Sequence, residues 1–337
     1  MKNFLPLKVV LPLLLVLLTT VGIISLGVGP VSIAPMEIFG LLFGAGSPND
    51  VESIIVRDLR LPRLLLAMLV GAALAQSGAV MQGFFQNPMA DPYIIGISSG
   101  AALGATLAFS LGLDFWFAGI NSVSLFAFFG SLTVSFVVYG ISTRGKRLPA
   151  SVLLLSGVAI GALAAALTSF LLITSSSNLE QILYWLMGSL ASRRWEHVQM
   201  VWPYILICML ILQFFAGDLN LLLLGEENAH NLGVNVERVK RIFLIVAALL
   251  AATAVSVSGI IGFVGLVVPH IMRLLVGPDH RGLFPASILG GACLVVAADI
   301  LARTLIAPAE IPIGIITSVL GCPFFLFLLG RRRDAII

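Results

Sequence analysis

Apolar runs of close to twenty residues recur from one end of this 337-residue chain to the other, and that repetition limits the fold more than any single motif. Twenty helical residues rise about 30 Å, the thickness of a bilayer's hydrocarbon core. Within that layer each backbone N–H and C=O needs a partner inside the protein, which selects helices. Only 10% of residues are Asp, Glu, Lys or Arg and mean hydropathy is +1.09, against about 25% charged residues in soluble domains. The chain is therefore expected to be an all-α polytopic membrane protein, a single transmembrane domain over residues 1–337.

Breakers and polar stretches divide it into ten spans, about 9–28, 61–84, 94–111, 121–140, 151–173, 202–215, 242–258, 260–269, 285–302 and 313–329. The first run exceeds the apolar centre of a cleaved signal peptide, so it is expected to stay as a helix. Pro30, Pro35 and Pro48 with the amphipathic SIAPMEIFGLLF suit an outside connection carrying an interfacial helix. The stretch from Ser175 to Val198 is too polar for a span, and Trp185 and Trp195 are expected to anchor it at the outer interface. GFVGLVVPH is expected to be a half-length helix that breaks at Pro269. Its Gly259, Gly262 and Gly265 either line a cavity or form a tight packing edge.

Ten spans with an inside N-terminus put six of the 19 Lys and Arg residues outside: Arg57, Arg60, Arg63, Arg193, Arg194 and Arg303. The rest, including Lys2, Lys8, Arg144, Lys146, Arg147, Arg273 and Arg331 to Arg333, fall inside, as the positive-inside bias requires. Both termini then lie in the cytoplasm. So does the longest polar stretch, GEENAHNLGVNVERVKR at 225–241, which cannot sit in lipid and must meet something soluble. The three cysteines lie in apolar runs and the four histidines lack close ligand spacing, so no disulfide framework, metal site or cofactor is expected in this chain. Nothing in it suggests a nucleic-acid partner. No G-x-x-x-x-G-K-[ST] phosphate loop occurs, since Gly145-Lys146 is followed by Arg147. A secondary transporter driven by an ion gradient is the rival class; it would want ionisable groups at mid-span, and none falls at the centre of any run.

Three blocks carry a resemblance to a known family: LRLPRLLLAMLVGAALAQSGAVMQGFFQNPMADPYIIGISSGAALGA, GFVGLVVPHIMRLLVGPDHR, and AADILAR followed by EIPIGIITSVLGCPFFLFLL. They resemble FecCD-type permeases, the ABC importers for cobalamin, haem, iron-siderophores and related metal-containing substrates, with molybdate and tungstate carried by relatives. The resemblance implies the type II ABC importer permease fold, about ten helices per subunit, in a homodimer within the prokaryotic cytoplasmic (inner) membrane. Two cytoplasmic ABC ATPase subunits would bind ATP and Mg, and one extracytoplasmic substrate-binding protein would dock outside. The segment Glu227 to Gly233 resembles the E-A-A-x-x-x-G pattern of importer permeases, with Asn228 at its second position. The implied ATPase contacts are Glu226, Glu227, His230, Gly233, Arg238 and Lys240. Implied docking residues are Arg60, Arg63 and Arg303, for which headgroup anchoring is the alternative; Asp299 stands four residues before Arg303, placed to pair with it. Asn87, Met89 and Ser151 are the implied cytoplasmic gate.

Overall fold

The computed structural model describes residues 4–29, 31–42, 50–117, 120–143, 148–175 and 178–333, the side chains only as far as 326. Pro30, Pro48, Lys2, Arg144, Lys146 and Arg147 lie outside the described residues, as do the side chains of Arg331 to Arg333. The helices are α1 (Leu7–Gly27), α2 (Pro35–Leu42), α3 (Val51–Ile54), α4 (Leu61–Phe84), α5 (Ile97–Ser110), α6 (Ser122–Ser142), α7 (Ala150–Thr174), α8 (Leu179–Leu186), α9 (Trp195–Phe214), α10 (Ala216–Leu222), α11 (Glu226–Asn231), α12 (Val236–Ser258), α13 (Val264–Val276), α14 (His280–Thr304) and α15 (Ile313–Arg333). A π turn over Ile55–Arg60 joins α3 to α4, making one apolar helix of 34 residues. Two short strands, β1 (Trp116–Phe117) and β2 (Ile120–Asn121), pair antiparallel before α6.

Seven of these helices are long and apolar enough to cross a membrane, and α5, α13 and α15 are shorter apolar helices. Together they give the ten expected. Several boundaries move. The sixth span begins at Trp195 rather than 202, because Trp195 packs inward and its indole N–H donates to Arg57 O at 2.9 Å. The eighth begins at Val264 and runs through Pro269 to Val276, since the residues before it are held extended by positive φ at Gly259 and Phe263. Trp185 is buried rather than anchored at the interface, its carbonyl facing Gly259.

Helix α4 is the axis of the subunit. From Val70 to Gly83 it is buried on every side, so it reads as small residues all round instead of one apolar stripe. A Cβ on Gly71 would lie 2.2 Å from Gly291 O of α14, and one on Gly78 would lie 1.9 Å from Gly265 O of α13. Backbones come this close only where side chains vanish, and in lipid such packing replaces the missing hydrophobic drive. In contrast α7 leaves Leu155, Val158, Leu163, Phe170 and Ile173 exposed. That face awaits lipid or another protein.

Contacts sort the helix ends into two groups. At one end Leu5 N–H donates to Leu275 O, and Leu148 N–H to the Glu237 carboxylate, gathering the starts of α1, α7, α12 and α14 with the end of α13. At the other, Arg60 and Arg303 reach the last turn of α1. The first end carries residues 225–241, the stretch expected inside, and is termed the inner end; the other is the outer end.

Candidate functional site

The inner end is built around a turn and a pair of short helices. After α4 stops at Phe84, Gln86 takes a left-handed φ of 48°, and Asn87 Oδ1 accepts from Met89 N at 3.0 Å, an Asx turn that Asn-Pro sequences favour. Gln86 Nε2 donates to Leu222 O at 3.2 Å, joining this turn to the end of α10. Asn87 is exposed and Met89 half-buried; Ser151, in the first turn of α7, is exposed. These three expected gate residues all sit at the inner end, on two separate elements.

The chain then climbs back into the protein. Asp91 caps the turn over Pro92–Ile95 by accepting from Tyr93 N at 2.9 Å, and Tyr93 Oη donates to Ile261 O at 2.9 Å. Burial pushes the Asp91 carboxyl up to about 6, its hydrogen bond from Tyr93 opposing the rise. The link from Tyr93 to Ile261 ties the gate segment to the break between α12 and α13, a connection with no signal in the sequence. The glycine alternatives divide here: Gly259 is pressed against Trp185 O and Gly265 against Leu74 O and Pro92, whereas Gly262 faces open space.

Helices α10 and α11 form the polar knuckle. Alone in α11, Ala229 is buried, while Glu226, Glu227, Asn228, His230 and Asn231 are exposed. Asn228 Nδ2 bonds back to Leu224 O at 2.8 Å, and Asn235 caps α12 by accepting from Arg238 N at 3.1 Å. Glu226 pairs with Lys240, which is buried. Of the six expected contact residues, Glu227, His230, Gly233 and Arg238 therefore face outward; Lys240 holds the knuckle to α12. Gly233 has a φ of 89° with nothing within 4 Å, a turn that few other residues adopt. Sequence reasoning missed Leu224 and Leu232, exposed at 58% and 60% beside these charges.

At the outer end the arginines behave differently from expectation. Arg60 is buried and donates to Leu26 O at 2.6 Å, to Gly27 O at 3.1 Å and to Val31 O at 2.5 Å. Arg303 is buried and donates to Ser25 O at 2.6 Å, Ser25 Oγ at 2.8 Å and Val28 O at 3.1 Å. These are C-terminal carbonyls of α1 and the loop after it, groups a helix end leaves without partners. Arg63 forks onto both carboxylate oxygens of Glu310 at 2.9 Å and bonds Asp299 Oδ1 at 2.9 Å. The Asp299 to Arg303 pair foreseen from their spacing is present at 3.3 Å. Guanidiniums satisfied by the chain's own carbonyls and acids are not presented to a partner. Arg194 is exposed and stands apart from this network; Arg193 is half-buried, and burial lowers it to about 10.

Ten packed apolar helices with an exposed polar knuckle at one end define a multi-pass membrane protein. A model of the FecCD transport family matches residues 15–331, and the chain belongs to that family. It is 45% identical over 330 residues to the hemin transport system permease protein HmuU of Yersinia pestis, covering 97% of each chain. It is 49% identical over 288 residues to the cobalamin import system permease protein BtuC of Halobacterium salinarum, covering 86% of this chain and 76% of that one. The molybdate import system permease protein MolB of Haemophilus influenzae is 37% identical, with 95% of each covered. A solved inward-facing structure described as a metal-chelate type ABC transporter superposes with a TM-score of 0.85 at 36% identity, over 96% of this chain and 99% of that one. The fold is that of the type II ABC importer permeases.

Proposed function

We propose that the chain is the transmembrane subunit of an ATP-driven importer for a metal-containing small substrate, of the iron-siderophore, haem, cobalamin or molybdate and tungstate group. It works as a homodimer in the prokaryotic cytoplasmic membrane, with both termini inside. Two ABC ATPase subunits bind ATP and Mg and seat on the inner end, and one substrate-binding protein delivers cargo at the outer end. The observation that carries this is the α10 and α11 knuckle, exposed in its charges yet fixed to the helical body through Ala229 and the Glu226 to Lys240 pair. A rigid, polar, leucine-edged projection transmits a push from a soluble motor into α10, and through Gln86 into the gate turn. The absence of a phosphate loop supports a separate motor subunit, and relatives named for hemin, cobalamin and molybdate support the substrate group.

For docking outside, the buried Arg60 and Arg303 and the internally paired Arg63 hold the surface in shape, while the exposed Arg194 meets a carboxylate of the binding protein. The test is uptake into vesicles holding the chain, its ATPase and its binding protein. Uptake should stop on ATP removal and survive an ionophore; collapse with the ionophore alone would assign the protein to ion-driven transporters. Reversing both charges, Glu227→Arg with Arg238→Glu, should leave ATP hydrolysis running without uptake, and full coupled transport in that variant would refute the knuckle's role.

A further inference from the structure

The inner end holds a cavity beside the turn that follows α4. About 450 Å³ in volume, it lies between the end of α4, the end of α13, the start of α14 and the end of α10, and its walls include Phe4, Gln82, Leu223, Arg273, Leu274 and His280. Arg273 is the one cation among them. Its Nη1 donates to the neutral Gln82 Oε1 at 2.9 Å, and among the described residues no carboxylate lies within 4.0 Å of it. A guanidinium has five N–H donors, and among the described residues Gln82 is the one side chain that Arg273 donates to.

His280, only 1% exposed, supplies the complement. Asn220 Nδ2 donates to Asp279 Oδ1 at 2.6 Å, which makes the other Asn220 atom, Oδ1, an acceptor; His280 Nδ1 therefore gives its proton to it at 2.8 Å. Nε2 is left as a buried acceptor without a donor. A cavity that offers an uncompensated guanidinium and a bare imidazole nitrogen calls for an anion that brings a hydrogen-bond donor of its own. The mouth is apolar, with Phe4 44% and Leu274 52% exposed, and it sits where α1 enters the membrane.

We propose that this cavity is a phosphate-binding site, occupied by the headgroup of an anionic phospholipid of the inner leaflet such as phosphatidylglycerol. The phosphodiester takes the forked geometry of Arg273, a glycerol hydroxyl donates to His280 Nε2, and the acyl chains leave past Phe4 and Leu274. Because Gln82, Gln86 and Pro88 also line the cavity, the bound headgroup braces the gate turn against α13 and α14. The inference needs only the membrane placement and goes beyond the importer reading, so either can fail without the other.

The test uses the full chain in phosphatidylcholine nanodiscs, titrated with phosphatidylglycerol or with inorganic phosphate, reading retained lipid by native mass spectrometry and the thermal midpoint. Phosphatidylglycerol should be retained and raise the midpoint, with apparent affinity about tenfold or more weaker in Arg273→Gln, as expected for losing a charge-assisted contact. Should Arg273→Gln fail to fold, Leu274→Trp closes the mouth while keeping the charge, and should abolish retention. Protection by inorganic phosphate alone, lost in Arg273→Gln, keeps the anion site and assigns it to soluble phosphate. Retention equal for phosphatidylglycerol and phosphatidylcholine, or unchanged in the variants, overturns the proposal.

Discussion

The two ends of this protein use the same residue types in opposite ways. At the outer end Arg60, Arg63, Asp299 and Arg303 turn inward and bond one another, Glu310 or helix carbonyls. At the inner end Glu227, His230 and Arg238 turn outward, and among the described residues of α11 and α12 the one ion pair is Glu226 with Lys240. The contrast teaches that charge at a membrane boundary has two uses, to close a helix end against its neighbours or to meet a partner, and that burial separates them. A buried ion pair adds little net stability when complete, but removing one member leaves a charge with no counterpart.

The largest effect should come from breaking the outer network. Asp299→Ala leaves the buried Arg303 with no carboxylate and Arg63 with Glu310 alone, and should destabilise the protein by about 3–5 kcal/mol, seen as lost yield and a lowered thermal midpoint; a variant of normal stability would erase the contrast between the ends. Next comes the axis common to both. Gly78→Ala drives a methyl into Gly265 O, and should cost about 1–3 kcal/mol by overpacking, with the outer network intact.

Between the ends, Asp91 sharpens the comparison through pH. Its folded value of about 6 lies above the ordinary 3.8, so the folded state holds the proton more tightly and ionisation penalises folding. That penalty is absent at low pH, grows as pH rises from the unfolded value, and is complete above about 6. Asp91→Asn should therefore raise the thermal midpoint more at pH 8 than at pH 5; an equal gain at both would remove the cause. The smallest change in stability belongs to the inner end, where Glu227→Arg with Arg238→Glu should stay within about 0.5 kcal/mol of the parent while uncoupling uptake. A large loss of stability there would show that the inner charges are structural, like the outer ones.

Much of this was legible in the sequence because the bilayer imposes a length and a polarity that leave few alternatives. The ten apolar helices, the exposed charges within residues 225–241 and the Asp299 to Arg303 pair all follow from one-dimensional pattern. The eighth span was misplaced at its end because proline is a strong local breaker, yet Pro269 is carried inside α13, and at its start because the beginning of α13 is set by the packing of Gly259 and Gly265. Leu224 and Leu232 escaped notice because a leucine in a hydrophobic chain carries no signal until its neighbours are known.

By itself, then, the sequence determined that this chain is an all-helical, multi-pass membrane protein with about ten apolar helices and one long polar stretch between them. Only the tertiary structure decided which charges are internal. Burial depends on what packs across from a side chain, and for Arg60, Arg63 and Arg303 the partners are residues 26–31, Glu310 and Ser25, far away along the chain. Periodicity cannot see such pairs, whereas the folded helix ends bring them within 3 Å of one another.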